Sequence, residues 1–246
     1  MSGRTPDTQV RFPVLRQAWR TVAFVHFAYD PAVVQRLLPA PLVVDTYEGE
    51  AWVTITPLVM ADLRPAPLPA AVSIPSFPET NLRTYVRTPN GRDGLWFFSL
   101  DVTSPTFTAA ARAMLGAPYL VADLTVDYGA NAQPESDGEA GRVIRYRGSR
   151  GTDAAYDIAV RPGDPMEASA LDDWLTGRWR AYTRHGGALL ETPVAHEPWP
   201  LLAAQVVTCE ESLTVAAGLP APEGVRLTHY SEGVEDVRFG VTHPVG

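Results

Sequence analysis

The chain has 246 residues, of which 28 are acidic and 20 basic, so its net charge is −8. An acidic balance of this size argues against a nucleic-acid partner, because nucleic-acid binding usually requires a basic stripe. All the basic residues are arginines, since the sequence contains no lysine, and this excludes a Schiff-base mechanism that uses a lysine side chain. A hydrophobic fraction of 46% is ordinary for a globular protein, and we expect one domain over residues 1–246.

The sequence also predicts the compartment and the absence of several kinds of partner. Cys209 is the only cysteine, so no intrachain disulfide can form. The N-terminal residues lack the apolar stretch of a signal peptide, and no run of about 18 apolar residues is present to span a membrane. No pair of histidines has the spacing of a metal motif. We therefore expect a cytoplasmic protein with no membrane partner, no metal and no cofactor, and the oligomeric state is left open.

The first part of the chain predicts a strand, a short helix and a hairpin. Residues 19–29 alternate between apolar and polar side chains, which is typical of a strand. Asp30 followed by Pro31 marks the start of a short helix. Residues 43–60 predict a hairpin, and the proline-rich residues 63–78 predict an extended loop.

The middle of the chain predicts a second hairpin followed by a helix. Residues 79–86 and 95–102 are strand-like and are joined by a turn signal at 88–94. Ser104 is placed to cap a helix that ends at Gly116.

The last part predicts further strands and one longer helix. An acidic, glycine-rich stretch at 129–141 predicts a surface loop. The remaining predictions are a strand at 119–129, a hairpin of 142–149 with 154–160, a helix over 169–185 capped by Ser169, and a β-rich tail. Many strands with a few short helices indicate an α+β, mainly β domain.

One strand carries an unusual row of polar side chains. In ETNLRTYV, Glu79, Asn81, Arg83 and Tyr85 share a face because side chains alternate along a strand. The row either faces solvent or lies inside the protein, and the apolar character of both faces of 95–102 favours the interior. At about 3.3 Å per residue, only two or three neighbours of the row can contact one small ligand.

The run PETNLRTYVR followed by GLWFFSLD resembles the YqjF-like family of bacterial proteins. Other segments with the same resemblance are WRTVAFVHF, ARAMLGAPY, WLTGRWRAY, HEPWPL and HYSEGV, which together cover about residues 15–240. This family is grouped with the acetoacetate decarboxylase-like superfamily. The resemblance implies a β-rich, cone-like barrel with an internal pocket and a few short helices, and it places the polar row inside.

The resemblance also implies which residues form the site. Acetoacetate decarboxylases carry R-E-x-x-G-F-P-K-K, in which the first lysine forms the Schiff base. Residues 112–120 are similar to this motif, but Tyr119 stands at the nucleophile position and Leu120 at that of the second lysine. Glu79 matches the pocket glutamate of the superfamily. The chain is therefore not expected to be an acetoacetate decarboxylase.

The candidate site residues follow from these observations. Glu79 and Tyr119 are the candidate catalytic residues, because a buried carboxyl and a phenol can exchange protons. An arginine in a pocket suits a carboxylate ligand through a bidentate contact. The candidate ligand-binding residues are Asn81, Arg83, Asp101, Arg112 and His196.

Each candidate also has a structural interpretation. Tyr119 is compatible with a core aromatic role, Arg112 with an ion pair on a helix, Asp101 with a strand end and His196 with a core or loop histidine. Three functions are therefore compatible with the sequence. They are a small-molecule (carbonyl or carboxylate) enzyme using lyase-, isomerase- or hydratase-type acid/base chemistry, a non-catalytic small-molecule-binding protein, and a structural or interaction protein with a buried polar network.

Overall fold

The structure is a computed structural model that describes residues 3–129 and 142–245. Within those residues it contains fifteen strands that belong to one sheet. The first eight are β1 (Leu15–Tyr29), β2 (Val43–Val44), β3 (Thr46–Tyr47), β4 (Glu50–Pro65), β5 (Phe77–Arg87), β6 (Asp93–Val102), β7 (Tyr119–Val121) and β8 (Asp123–Asp127). The others are β9 (Ile144–Ser149), β10 (Ala155–Pro165), β11 (Arg180–His185), β12 (Ala188–Ala195), β13 (Leu201–Glu211), β14 (Leu227–Phe239) and β15 (His243–Pro244).

Short helices connect the strands. They are α1 (Pro31–Gln35), α2 (Pro105–Leu115), α3 (Ala170–Thr176), α4 (Leu213–Ala216) and a 3-10 turn at Ala70–Val72. The side chain of Asp30 accepts a hydrogen bond from Ala32 N at the start of α1, as predicted. Ser104 caps α2 in the same way, and Gly116 ends α2 with a left-handed φ of 61°. No helix among the described residues is long and apolar enough to cross a membrane.

Seven of the strands close into a barrel. Their order is β12-β11-β6-β5-β4-β1-β14, and β14 pairs back with β12. Neighbouring strands are antiparallel except β6 and β11, which are parallel. Because the ring is closed, one face of each strand points into the barrel and the other points outwards.

A second layer covers the outside of the barrel. β14 also pairs with β13, and the sheet continues through β10 and β9 to β8. The core between this layer and the barrel contains Val25, Ile55 and Leu82 from the barrel together with Tyr146 and Ile158 from the second layer. The barrel strands are therefore buried on both faces, and the mainly β, barrel-like fold is confirmed.

Three sequence predictions need correction or fall outside the structure. The helix over 169–185 is wrong, because α3 ends at Thr176 and residues from Arg180 onward form β11. The strand over 119–129 is two strands, since β7 pairs with β6 whereas β8 pairs with β9. The predicted acidic loop at 129–141 lies, apart from Gly129, outside the described residues.

Candidate functional site

The barrel encloses a cavity of about 400 Å³. Its walls are mostly apolar and come from nearly every barrel strand and from α2. The main apolar residues are Trp19, Phe24, Leu58, Met60, Leu95, Phe97, Leu100, Phe107 and Trp199. A cavity of this size, largely apolar with a few polar groups, is typical of a small-molecule site.

The polar wall of the cavity is the predicted row on β5. Glu79, Asn81 and Arg83 line the cavity, and each is at most 8% exposed. Tyr85 is fully buried further along the same face, where its hydroxyl donates to Leu175 O. The interior position of the row is therefore confirmed, and three of its four members lie on one cavity wall.

A bulge in β6 sets the wall next to β5. Leu82 pairs with Ser99 and Arg83 pairs with Phe97, so Phe98 has no partner residue on β5. Strict alternation would put Phe97 and Leu100 on opposite faces, but the extra residue brings both into the cavity.

Glu79 and Tyr119 meet at one end of the row. β7 pairs with β6 beside β5, and this brings the Tyr119 hydroxyl 3.5 Å from Glu79 Oε2. The distance is long for a hydrogen bond between two oxygens. Burial raises the pKa of Glu79 to about 8, although the contact with Tyr119 lowers it. Burial and the nearby Glu79 together hold the pKa of Tyr119 well above its usual value.

Arg83 is a buried cation that contacts the Tyr85 hydroxyl and has no carboxylate beside it among the described residues. Its guanidinium lies 5.3 Å from the centre of the Phe24 ring. Among the described residues, no carboxylate lies within ion-pair distance of it, and its Nε has no hydrogen-bond partner. Burial lowers the pKa of Arg83, but a guanidinium stays protonated at neutral pH.

Two neutral groups lie between these charged ends. Asn81 on β5 is the register partner of Thr56 on β4. Both line the cavity, and neither Asn81 Oδ1 nor Thr56 Oγ1 has a hydrogen-bond partner among the described residues. Because unsatisfied buried polar atoms are costly, these atoms favour a polar ligand at this point.

His196 lines another part of the cavity inside a group of tryptophans. Its ring centre lies 5.5 Å from Trp19, 4.7 Å from Trp179 and 4.9 Å from Trp199. His196 Nδ1 lies 2.5 Å from Glu197 O, so this nitrogen is the donor and the other nitrogen is the acceptor in the neutral ring. Burial lowers the pKa of His196 to about 4, so the imidazole is neutral at pH 7.

Two of the sequence candidates do not line the cavity. Asp101 is buried, but its side chain points away from the cavity and accepts a 2.8 Å hydrogen bond from Arg150 Nε. This follows from alternation, because the neighbouring Leu100 faces inwards. Arg112 lies on the exposed face of α2, whereas the preceding Ala111 faces the cavity. The structure therefore keeps both side chains out of the cavity, although the charge of Asp101 still acts on Glu79 and raises its pKa.

Some polar groups of the barrel were missed from the sequence. Arg178 and Arg180 line the cavity and form buried ion pairs with Asp93. His26 and His229 are fully buried beside the cavity wall. Thr54 and Thr56 were detectable, because they interrupt the inward-facing apolar positions of β4. The histidines come from opposite ends of the chain and gave no such local signal.

The arrangement supports proton exchange and anion binding. The described residues contain no cluster of three or more metal-ligating side chains. Glu79 offers a carboxyl that is mostly neutral at pH 7, and Arg83 offers a guanidinium suited to a carboxylate.

Comparison with solved structures shows the fold. An acetoacetate decarboxylase-like enzyme from Sphingomonas wittichii matches with a TM-score of 0.63 and 15% identity, covering 97% of this chain and 95% of that one. Acetoacetate decarboxylase from Legionella pneumophila matches with a TM-score of 0.66 and 14% identity, covering 96% and 88%. The enduracididine biosynthesis enzyme MppR complexed with pyruvate matches with a TM-score of 0.63 and 14% identity, covering 98% and 93%.

Comparison of sequences shows the family. The uncharacterized protein YqjF of Bacillus subtilis is 36% identical over 231 residues, which are 92% of this chain and 90% of that protein. Residues 16–235 match the family DUF2071, described as an uncharacterized conserved protein. The chain therefore belongs to the DUF2071, YqjF-like family and has an acetoacetate decarboxylase-like fold.

Proposed function

We propose that the cavity binds a small carboxylic acid that carries a carbonyl group, and that Glu79 and Tyr119 exchange a proton with it. One observation carries this proposal. A single cavity wall holds a carboxyl group with no cation beside it and a guanidinium with no carboxylate beside it among the described residues. Charges that serve only structure are paired when they are buried.

The ligand carboxylate is assigned to Arg83. The guanidinium can hold a carboxylate through two parallel hydrogen bonds. Arg83 and Glu79 are four residues apart on one strand, so their backbones are about 13 Å apart. At the roughly 30 Å³ that a water molecule takes up in the liquid, the cavity of about 400 Å³ holds about 13 non-hydrogen atoms. An acid with an aromatic or branched apolar body fits these limits.

The carbonyl end of the ligand is assigned to Glu79 and Tyr119. With a pKa of about 8, Glu79 is mostly protonated at pH 7 and donates a hydrogen bond to a carbonyl oxygen. Tyr119 keeps its proton at this pH and acts as a second donor. Proton exchange of this kind serves lyase-, isomerase- or hydratase-type reactions and requires no imine.

Binding without turnover is the second candidate function. It is favoured by the absence of lysine from the chain, and by the resemblance of residues 112–120 to the decarboxylase motif, which implies that Tyr119 stands at the nucleophile position. MppR, which has the same fold, is known as a complex with pyruvate. A keto acid is therefore a suitable ligand for either candidate.

Benzoate and benzamide test the carboxylate site, because they differ only in charge and one heavy atom. A ligand at 100 times its Kd adds about 2.7 kcal/mol, which raises the Tm of a domain of this size by about 5–10 °C. We expect benzoate to give such a shift with the wild type and none with Arg83→Met. Equal shifts with benzamide, or with Arg83→Met, would move the carboxylate site away from Arg83.

Phenylpyruvate tests proton exchange. In D2O, an acid/base site accelerates deuterium exchange at the carbon next to the carbonyl, which NMR measures directly. We expect Glu79→Gln to abolish the acceleration. Glu191→Gln is the matched control, because Glu191 is buried outside the cavity and its substitution is expected to leave the exchange intact. Binding of benzoate without accelerated exchange would support the second candidate.

A further inference from the structure

A continuous chain of buried polar groups runs beside the cavity wall. Asp172 Oδ1 lies 2.8 Å from His229 Nε2, and His229 Nδ1 lies 3.1 Å from His26 Nε2. His26 Nδ1 lies 2.8 Å from Thr54 Oγ1, which lies 2.8 Å from the Tyr85 hydroxyl. That hydroxyl lies 2.9 Å from Leu175 O, where the chain ends.

This hydrogen-bonded chain of polar groups is shielded from solvent and lies next to the proposed anion site. Both imidazoles and Tyr85 are 0% exposed. The side chain of Tyr85 also contacts Arg83, its neighbour on the same face of β5. Water therefore cannot satisfy these polar atoms, and the chain must do so itself.

This hydrogen-bonded chain contains five contacts, but its groups in their neutral forms carry only four protons that can be donated. Each of the five contacts needs one proton between its two atoms. Neutral imidazoles supply one proton each, and each hydroxyl supplies one, which makes four. The end groups supply none, because Leu175 O is a carbonyl and Asp172 is a carboxylate.

Asp172 is held in its ionised form. Burial by itself raises the pKa of this carboxyl, but hydrogen bonds from Ser169 and His229 outweigh burial and lower it. Ser169 N donates to the second oxygen of Asp172 at 2.7 Å. The missing proton therefore belongs to an imidazole rather than to the carboxylate.

We propose that this chain is a buried proton-binding site, in which His26 and His229 share one extra proton opposite the Asp172 carboxylate. A positive charge on Arg83 opposes this proton, so a bound anion that neutralises Arg83 promotes its uptake. The effect of the anion rests on the proposed function, whereas the proton site does not.

The surrounding charges agree with this coupling. Burial lowers the pKa of both imidazoles, and the neighbouring His229 and Arg83 lower that of His26 further. Asp172 acts in the opposite direction on His229. The groups that face the chain are Asp172 from α3, Arg83 and Tyr85 from β5, Arg178 after α3 with its partners Asp45 and Asp93, and the neutral Thr54 and Trp52 from β4.

The coupling is reciprocal. If a carboxylate on Arg83 favours the extra proton, the extra proton increases the affinity for that carboxylate by the same factor. The free protein is expected to take up the proton below pH 6.5, because both imidazoles have lowered pKa values. Anion affinity should then rise as the pH falls through this range.

Histidine ¹⁵N NMR over a pH series tests the site without a ligand. Arg83→Gln removes the opposing charge and should raise the midpoint of the shared titration of His26 and His229 by about one pH unit or more. Tyr85→Phe removes two contacts and one proton. The three remaining contacts then have one proton each when all the remaining donors are neutral, so no extra proton is needed. This variant should lower the midpoint.

Tyr146→Phe is the matched control. Tyr146 is also 0% exposed, and its hydroxyl donates to a backbone carbonyl, Thr21 O, at 2.9 Å. It lies outside the chain, so the midpoint should not move. If Tyr85→Phe does not fold, Thr54→Val removes two contacts and one proton in the same way.

The outcomes separate the two proposals. An unchanged midpoint in Arg83→Gln, or in both Tyr85→Phe and Thr54→Val, would overturn the proton site. If these shifts occur while benzoate fails to bind the wild type, the proton site stands and the proposed function fails. If benzoate binds, calorimetry in two buffers of different ionisation enthalpy should show proton uptake that is reduced in Tyr85→Phe.

Discussion

Two buried glutamate–tyrosine pairs in this barrel differ in the charges around them. Glu191 accepts a hydrogen bond from the Tyr182 hydroxyl at 3.3 Å, and it also forms ion pairs with Arg92 at 2.5 Å and with Arg180 at 3.5 Å. Glu79 accepts a hydrogen bond from the Tyr119 hydroxyl at 3.5 Å. No arginine pairs with Glu79 among the described residues.

The same contrast holds for the arginines. Arg178 is 1% exposed at its side chain and pairs with Asp45 and Asp93 at 2.8 and 2.9 Å. Arg83 is similarly buried but has no carboxylate partner among the residues described. The paired groups explain how the barrel tolerates buried charge, whereas the unpaired groups share the cavity wall. Burial alone therefore does not indicate a binding site, whereas a buried charge without a partner of opposite charge among the described residues does.

The largest expected effect is the loss of stability in Arg178→Met. This change leaves Asp45 and Asp93 each short of one buried partner, and breaking a buried ion pair costs about 3–5 kcal/mol. Arg83→Met is the comparison, because it removes a buried charge that has no carboxylate partner in the described part of the chain. We expect its free energy of unfolding to be unchanged or raised, by less than about 2 kcal/mol. Urea unfolding measures both, and equal losses would contradict the distinction between the two arginines.

The second prediction concerns the pH dependence that Glu79 gives to stability. Its pKa rises from 4.5 in the unfolded chain to about 8 in the folded protein. The folded state then binds more protons than the unfolded state between these values, so this contribution is full below pH 4.5 and is lost as pH rises towards 8. The slope is at most about 1.4 kcal/mol per pH unit.

The measurement is the difference in unfolding free energy between wild type and Glu79→Gln at several pH values. Other titrating groups, including the buried histidines, are present in both proteins and cancel in this difference. We expect the difference to decline steadily from pH 5 to pH 8. A difference that does not depend on pH would show that Glu79 ionises normally and would remove the basis for acid catalysis by this residue.

The smallest expected effect distinguishes the two tyrosines. Tyr119→Phe loses one long hydrogen bond and should cost less than about 1 kcal/mol. Because the Tyr119 hydroxyl lowers the pKa of Glu79, its removal should raise that pKa further, which a ¹³C NMR titration of the carboxyl measures. Tyr182→Phe is the control and should leave the titration of Glu79 unchanged. A shift with both variants would mean a general change of the barrel.

Local pattern was sufficient for several elements. Alternation in residues 79–86 predicted both the strand and the shared face of Glu79, Asn81 and Arg83. The helix caps at Asp30 and Ser104 were also predictable, because capping depends only on neighbouring residues. The helix over 169–185 was wrong because its second half forms a hairpin with β12 across the turn at Gly186 and Gly187, and this strand also pairs with the distant β6. The glycine pair was a local hairpin signal, whereas the contact with β6 has none.

The residue pattern alone predicted a chain without lysine and a row of polar groups on one face of one strand, and the resemblance to the superfamily implied a tyrosine at its nucleophile position. Which of the buried charges have a partner of opposite charge depends on the fold. Glu79 contacts Tyr119 because β7 pairs with β6. Arg112 does not line the cavity, because the preceding residue of α2 faces it. Burial and charge pairing depend on residues far apart in the chain, and these set the pKa of a group, so the chemistry of the site follows from the closed barrel.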